Sequence, residues 1–310
     1  MYIISMTTLP CRRERLSENL PSITGQSYNF DKLVINIDDN LTEEDYLWYD
    51  SLKKIDSRIE INKADYKWRS CNKLLPTLQK YPNDIIITVD DDIYYPVDSI
   101  KYLVEESEKN PDCVIAHEVN PIIVENGKFK GYVNGIDVKL GHKEFGKYLS
   151  NCCLFPPHIF NNTDLFNYDK MMECTEGNHD ELWFWINSTI NGVPVINLDY
   201  VLTFEYDVKS RWTNGEYRLH DINISQEKTD WYNKKVEEMY GKKLYKVLSK
   251  YHPVFKITKD NVYSFITQFM LIVQYYASQF SFEINMDELT LGYKNMIINF
   301  VNKQNFIHKN

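Results

Sequence analysis

Within the first 110 residues, short runs rich in β-branched side chains alternate with longer segments of helical character. YIISMTT (2–8), KLVINID (32–38), RIEINK (58–63) and DIIITVD (84–90) read as strands. RRERLSENLPSIT, TEEDYLWYDSLKK and SCNKLLPTLQKY, which lie between them, read as crossover helices. Thr42 is placed to cap the second, with Glu44 and Asp45 in its first turn. Strands joined in this way by helices form a parallel sheet covered on both faces. In such a sheet ligands gather at the carboxyl ends of the strands.

The fourth strand ends in Asp90, Asp91 and Asp92. Its core, IIITV, is apolar on both faces, which predicts a central position in the sheet. Three crowded carboxylates at such a strand end repel one another, and a divalent cation relieves the repulsion. Hard oxygen ligands suit Mg²⁺ or Mn²⁺, ions that keep coordination positions open for substrate phosphates. A metal-diphosphate site is therefore expected at the end of this strand.

Beyond it, VDSIKYLVEESEKN reads as a helix, CVIAHEV as a strand, and PIIVENGKFKGYV as a hairpin turning at Asn126 and Gly127. The alternation then ends. Residues from about 134 to 215 carry a helix around DELWFWINSTING and a short strand, PVINL. From about 225 the chain is helical and tyrosine-rich. Its uncharged stretch Asn261–Phe282 carries apolar residues at helical spacing and reads as an amphipathic helix, too polar to span a membrane.

The net charge of −9 argues against a phosphate-gripping nucleic-acid binder. The six cysteines form no CxxC pair and the first residues lack a signal-peptide pattern, so a cytoplasmic protein with reduced thiols is expected.

The strand ending in a DxD-type triplet resembles the metal and sugar-nucleotide motif of GT-A fold glycosyltransferases. Other segments resemble the same enzymes in the same order over roughly residues 2 to 215. SMTTLPCRRERL is similar to their first strand and turn, which implies nucleotide contacts from Thr7, Thr8, Pro10 and Arg12. VINIDDN is similar to their second strand, which implies that Asp38 or Asp39 meets the base or ribose. NKLLPTLQKY resembles bacterial family-2-like members, with Lys73 near the nucleotide.

The resemblance implies that Asp90 and Asp92 hold the metal, with His220 as a third ligand, and that Asp91 meets the ribose or donor sugar. GNHDELWFWI resembles the carboxylate pair that opens a helix in inverting members. Either Asp180 or Glu181 then takes the acceptor proton, with Trp183, Phe184 and Trp185 available to stack on a sugar.

The implied fold is α/β, a Rossmann-like mixed sheet flanked by helices (1–224), with a helical C-terminal extension (225–310). The implied activity is Mn²⁺- or Mg²⁺-dependent transfer of a hexosyl or N-acetylhexosaminyl group. The donor is a nucleotide-diphosphate sugar such as a UDP-sugar. The acceptor is a glycan or lipid-linked glycan in bacterial surface polysaccharide synthesis. The C-terminal helices are candidates for a homodimer contact or for peripheral contact with the inner face of the membrane. Two rival readings use the same residues. A haloacid-dehalogenase-like phosphatase also pairs aspartates two apart, as in Asp90 and Asp92, and a non-catalytic sugar-nucleotide-binding module keeps the fold without turnover.

Overall fold

The computed structural model describes residues 1–120, 122–125, 128–132, 141, 143–198 and 226–249, all within one compact unit, Met1–His252. Strands β1 (Tyr2–Thr7), β2 (Lys32–Asp38), β3 (Ile59–Ala64) and β4 (Ile85–Val89) match the four predicted strands to within a residue or two. They lie parallel in the order β3-β2-β1-β4. Successive side chains on a strand point to opposite faces. Ile3 and Ile86 accordingly enter one core, while Ile4, Met6, Ile87 and Val89 enter another.

Helices α1 (Arg13–Thr24), α2 (Glu43–Ser51) and α4 (Ser99–Lys109) contribute to the second core. Thr42 and Asp45 close a reciprocal capping box at the start of α2, which satisfies two orphan N–H groups. The predicted third crossover helix is divided. A 3₁₀ segment, Tyr66–Lys73, precedes a short α3 (Leu75–Lys80). Arg69 breaks the helical path with φ 49° and ψ −125°, and Pro76 restarts it in the first turn of α3, where a missing N–H costs nothing.

The sheet continues in a way the alternation does not predict. Strand β11 (Cys152–Phe155) inserts antiparallel between β4 and β5 (Val114–Ala116). Strand β12 (Val195–Asn197) follows β5, and β9 (Lys143–Glu144) forms the far edge of the eight strands. The predicted strand CVIAHEV is split. Its first part is β5, while β6 (Val119–Asn120) pairs with β10 (Lys147–Tyr148) in a separate ribbon. The predicted hairpin is present as β7 (Ile122–Glu125) and β8 (Lys128–Tyr132), and its turn lies outside the described residues.

Helices α5 (Tyr168–Thr175), α6 (Asp180–Ile190) and α7 (Gln226–Leu248) cover the first core. On α7, Tyr232, Val236, Tyr240, Leu244 and Leu248 are buried at intervals of four and face α5, α6 and β8, one apolar stripe of an amphipathic helix. At Gly131, with φ 139°, a Cβ would lie 2.6 Å from the Asn233 side chain, so β8 meets α7 closely only because that atom is absent. Among the described residues no helix is long and apolar enough to cross a membrane. The stretch at 261–282 lies outside them.

Glu60 on β3 supplies a pH test of the sheet. Its carboxylate takes Lys80 at 2.6 Å, Lys32 at 2.9 Å and the Tyr81 hydroxyl at 2.7 Å. Burial alone would push it up, but these donors outweigh burial and hold it at about 2, below its ordinary 4.5. The stabilisation is fully present above the unfolded value and is lost as pH falls through the folded one. Urea unfolding measured from pH 5 down to pH 2 is expected to show a loss of stability that is smaller in Glu60→Gln.

Candidate active site

Strands β1, β2, β3 and β4 all end on one side of the sheet, at Thr7, Asp38, Ala64 and Val89. The acidic triplet follows β4 at that edge. Its three carboxylates sit in different surroundings, Asp90 on Lys73 and both Asp91 and Asp92 near Arg12.

Asp90 faces the 3₁₀ segment. Its Oδ1 lies 2.5 Å from Lys73 Nζ, and its N–H donates to the Tyr95 hydroxyl, which itself donates to the Asn151 carbonyl. Lys73 also reaches Asp180 Oδ2 at 3.3 Å. Ser150 Oγ donates to the same oxygen at 3.0 Å, and Thr88 on β4 holds the Ser150 carbonyl. The Lys73 backbone is fixed in turn, since buried Ser5 inside β1 donates to its carbonyl. A nearly buried ammonium thus joins the first residue of α6 to the first residue of the triplet. Burial pushes the Asp180 carboxyl up, but Lys73 and Ser150 outweigh it and hold it below the ordinary carboxylate range. For Asp90 burial wins over Lys73, and its carboxyl is pushed up.

Asp91 turns inward and is 2% exposed. It accepts from Thr8 Oγ1 at 2.6 Å and from Arg12 at 2.7 Å, while Asn19 donates to its carbonyl. These bonds fasten the triplet to the turn after β1. Asp92 is the open one, with a side chain 36% exposed and the Arg12 guanidinium 3.7 Å away. Thr7 donates to the Asn36 carbonyl. Pro10 opens the short 3₁₀ turn before α1.

Asp38 and Asp39 end β2 as a separate acidic group with Asp65. Burial pushes Asp38 up, against a hydrogen bond from Asn72, and Asp39 lies 3.4 Å from the Tyr66 N–H. His220 lies outside the described residues.

The structure adds Lys147, His179, Arg69 and Ser150, which the sequence did not single out. Glu181, beside Asp180, meets Lys147 at 3.2 Å. Lys147 comes from β10 and is itself 2% exposed. His179, whose imidazole burial and Lys147 together hold in the neutral form, lies 3.0 Å from the Tyr132 hydroxyl. Arg69 donates to Glu176 O and Asn178 Oδ1, so the kinked 3₁₀ segment holds the loop that leads into Asp180. No local pattern in KEFGKYLSN marks Lys147 or Ser150, because their relevance arises from pairing across the fold.

One expectation is corrected. Trp183, Phe184 and Trp185 are fully buried, and the two indole N–H groups donate to the Leu165 and Phe145 carbonyls. They are core residues with satisfied polar atoms and are closed to a sugar. Cys152 and Cys153 are buried thiols in β11, as expected of small apolar side chains.

Among the described residues no three His, Cys, Asp or Glu side chains converge on a possible metal position. The triplet offers an open carboxylate in Asp92 and one tied to an ammonium in Asp90. This donor set fits a Mg²⁺- or Mn²⁺-sized ion that takes one or two protein oxygens and completes its shell with water and substrate phosphate.

Comparison with protein families agrees with this architecture. The family model described as Glycosyl transferase family 2 matches residues 6–157, a span that runs from the end of β1 to just beyond β11. No curated protein matches the chain. Among solved structures, TarS 1–349 of S. aureus in complex with UDP-GlcNAc aligns at 12% identity with a TM-score of 0.48, over 88% of this chain and 80% of that one. The UDP complex of the same fragment gives 12% identity and a TM-score of 0.41 over 65% of this chain. A 4-diphosphocytidyl-2C-methyl-D-erythritol synthase gives 14% and 0.38, over 68% and 95% of the two chains. The chain spans 59% of TarS 1–349 in its UDP complex and 36% of a longer TarS structure. Residues 6–157 thus match the model of glycosyl transferase family 2, and the mixed eight-stranded sheet flanked by helices is that of a GT-A fold glycosyltransferase.

Proposed function

We propose that this protein transfers a sugar from a nucleotide-diphosphate donor to a hydroxyl of a glycan or glycolipid, with Asp180 as general base and with inversion at the anomeric carbon. One observation carries the reading. The Lys73 ammonium lies between Asp90 at the end of β4 and Asp180 at the start of α6, so the acidic strand end and the acidic helix start form one site around one cation.

Asp180 is preferred over Glu181 because it shares Lys73 with the triplet, whereas Glu181 is held by Lys147. Held ionised, Asp180 accepts the acceptor's hydroxyl proton as that oxygen attacks the anomeric carbon. The new C–O bond forms on the face opposite the departing diphosphate, whose bond to the sugar breaks. Lys73 and Arg12 are the cations available to the diphosphate, and Asp91 acts by holding Arg12 and Thr8 in place. Asp92 and Asp90, with His220, would hold Mn²⁺ or Mg²⁺, which when bound neutralises charge on the leaving group. Asp38 or Asp39 meets the base or ribose.

The donor class we propose is a UDP-hexose or UDP-N-acetylhexosamine, used at the cytoplasmic side in building a bacterial surface polysaccharide. Helix α7, with which the predicted extension begins, packs against α5, α6 and β8, and for the residues after it we propose dimer contact.

Thermal unfolding tests the donor site. A ligand that binds only the folded state stabilises it, by about 2.7 kcal/mol at a hundredfold excess over Kd. UDP with Mn²⁺ is expected to raise Tm, chelator to remove the rise, and Asp92→Ala to abolish it. No rise with any nucleoside diphosphate would overturn the proposal.

A further inference from the structure

Glu181 takes no part in the proton transfer just described, yet its carboxylate is anchored. Its Oε2 lies 3.2 Å from Lys147 Nζ, and that ammonium sits 4.8 Å above the Tyr132 ring. Tyr132 in turn is bonded to His179. The other ionisable groups around the carboxylate are Asp180, Lys73 and the Cys153 thiol. A buried lysine and carboxylate add little stability over apolar residues of the same volume. What the pair does supply is a fixed direction for the carboxylate.

The Glu181 side chain remains 24% exposed, and among the described residues only Oε2 has a partner. The neighbouring Asp180 repeats the arrangement, with Oδ2 taken by Lys73 and Ser150 and, among the described residues, no partner on Oδ1. Two adjacent carboxylates are each clamped through one oxygen by a different buried ammonium.

Building on the transfer reading above, we propose that Glu181 orients the acceptor. Its Oε1 accepts a hydrogen bond from a hydroxyl next to the one that Asp180 deprotonates, and Lys147 is the positioning residue that aims it. The acceptor class is therefore a polyol segment with adjacent hydroxyls, as in a sugar ring or a glycerol-like chain, and not an isolated alcohol.

The test uses small alcohols as competing nucleophiles. The full chain is incubated with UDP-glucose or UDP-N-acetylglucosamine and Mn²⁺ in the presence of glycerol or 1-propanol, and the glycosides formed are counted against hydrolysis. Wild type is expected to prefer glycerol by about tenfold per hydroxyl, the scale of one hydrogen bond to a charged group. In Glu181→Gln that preference falls toward one. Lys147→Met has the same effect, and Lys147→Arg, which keeps a cationic donor, recovers it.

The Gln variant keeps the shape of the side chain, and a UDP-dependent rise in Tm reports that it is folded. Equal use of both alcohols by wild type, or an unchanged preference in Glu181→Gln or Lys147→Met, would overturn this proposal while leaving the transferase reading intact. If wild type cleaves no nucleotide sugar at all, the transferase reading itself falls, and this one with it.

Discussion

Replacing Asp180 by Asn is expected to slow sugar transfer by about 10²- to 10⁴-fold, the usual contribution of a positioned general base. The substitution keeps the size of the side chain and its acceptor oxygen for Ser150, so the site retains its shape. It removes the negative charge beside Lys73, which leaves that ammonium freer to meet a diphosphate. The UDP-dependent rise in Tm is therefore expected to persist while turnover collapses. The pH profile supplies a second readout. Burial would raise the Asp180 carboxyl, but Lys73 and Ser150 hold it below its ordinary 3.8. A base works only when deprotonated, so the acidic limb of kcat/KM in wild type is expected below the ordinary aspartate range. A limb well above it, or near-normal turnover in Asp180→Asn, would exclude Asp180 as the base.

The second large effect is on stability. Lys73→Met is expected to cost about 3–5 kcal/mol, the penalty for removing one partner of a buried ionic cluster. Methionine fills the space of the lysine stem but leaves Asp90 and Asp180 without their shared cation. Both carboxyls then rise above their unfolded values, through burial and mutual repulsion. A raised carboxyl contributes stability below the unfolded value that is lost as pH increases through the folded one. Urea unfolding of Lys73→Met is therefore expected to show a larger deficit against wild type at pH 8 than at pH 5. A deficit below about 1 kcal/mol, the scale of a surface ion pair, would mean that the cluster is solvated.

The parts of this fold that can be read from sequence are those in which one strand's own composition decides its environment. IIITV predicts an interior strand because four of its five side chains are apolar and the fifth, Thr88, is β-branched, and β4 is interior. Thr42 predicts a cap because its oxygen lies three residues from a free N–H, and the cap is present. Lys73 could be singled out together with Asp90 and Asp180, and the fold brings those three together. The sequence reading fails where a residue's meaning depends on a distant partner. CCLF in β11 is too short and too small to announce that it divides β4 from β5. Lys147 lies in a two-residue strand whose only signal is its pairing with β6. The aromatic run after Asp180 misleads for a physical reason. Ring chemistry is the same on a sugar platform and in a core, and only the burial of Trp183 and Trp185, with their N–H groups bonded to carbonyls, distinguishes the two.

The position of β11 has a consequence for synthesis of the chain. Strands β1, β2, β3 and β4 have all left the ribosome when residue 89 has emerged, and β1 can pair with both β2 and β4 at once. The outer edge of β4 cannot be closed at that stage, because its partner begins at Cys152. For some 60 residues of translation the growing polypeptide carries an apolar, unpaired strand edge, the feature that invites association between chains. At about 5–20 residues per second this interval lasts on the order of seconds. The Asp90–Asp92 triplet places charge at the end of that edge throughout the interval, and charge flanking an apolar strand is the kind of residue that opposes such association.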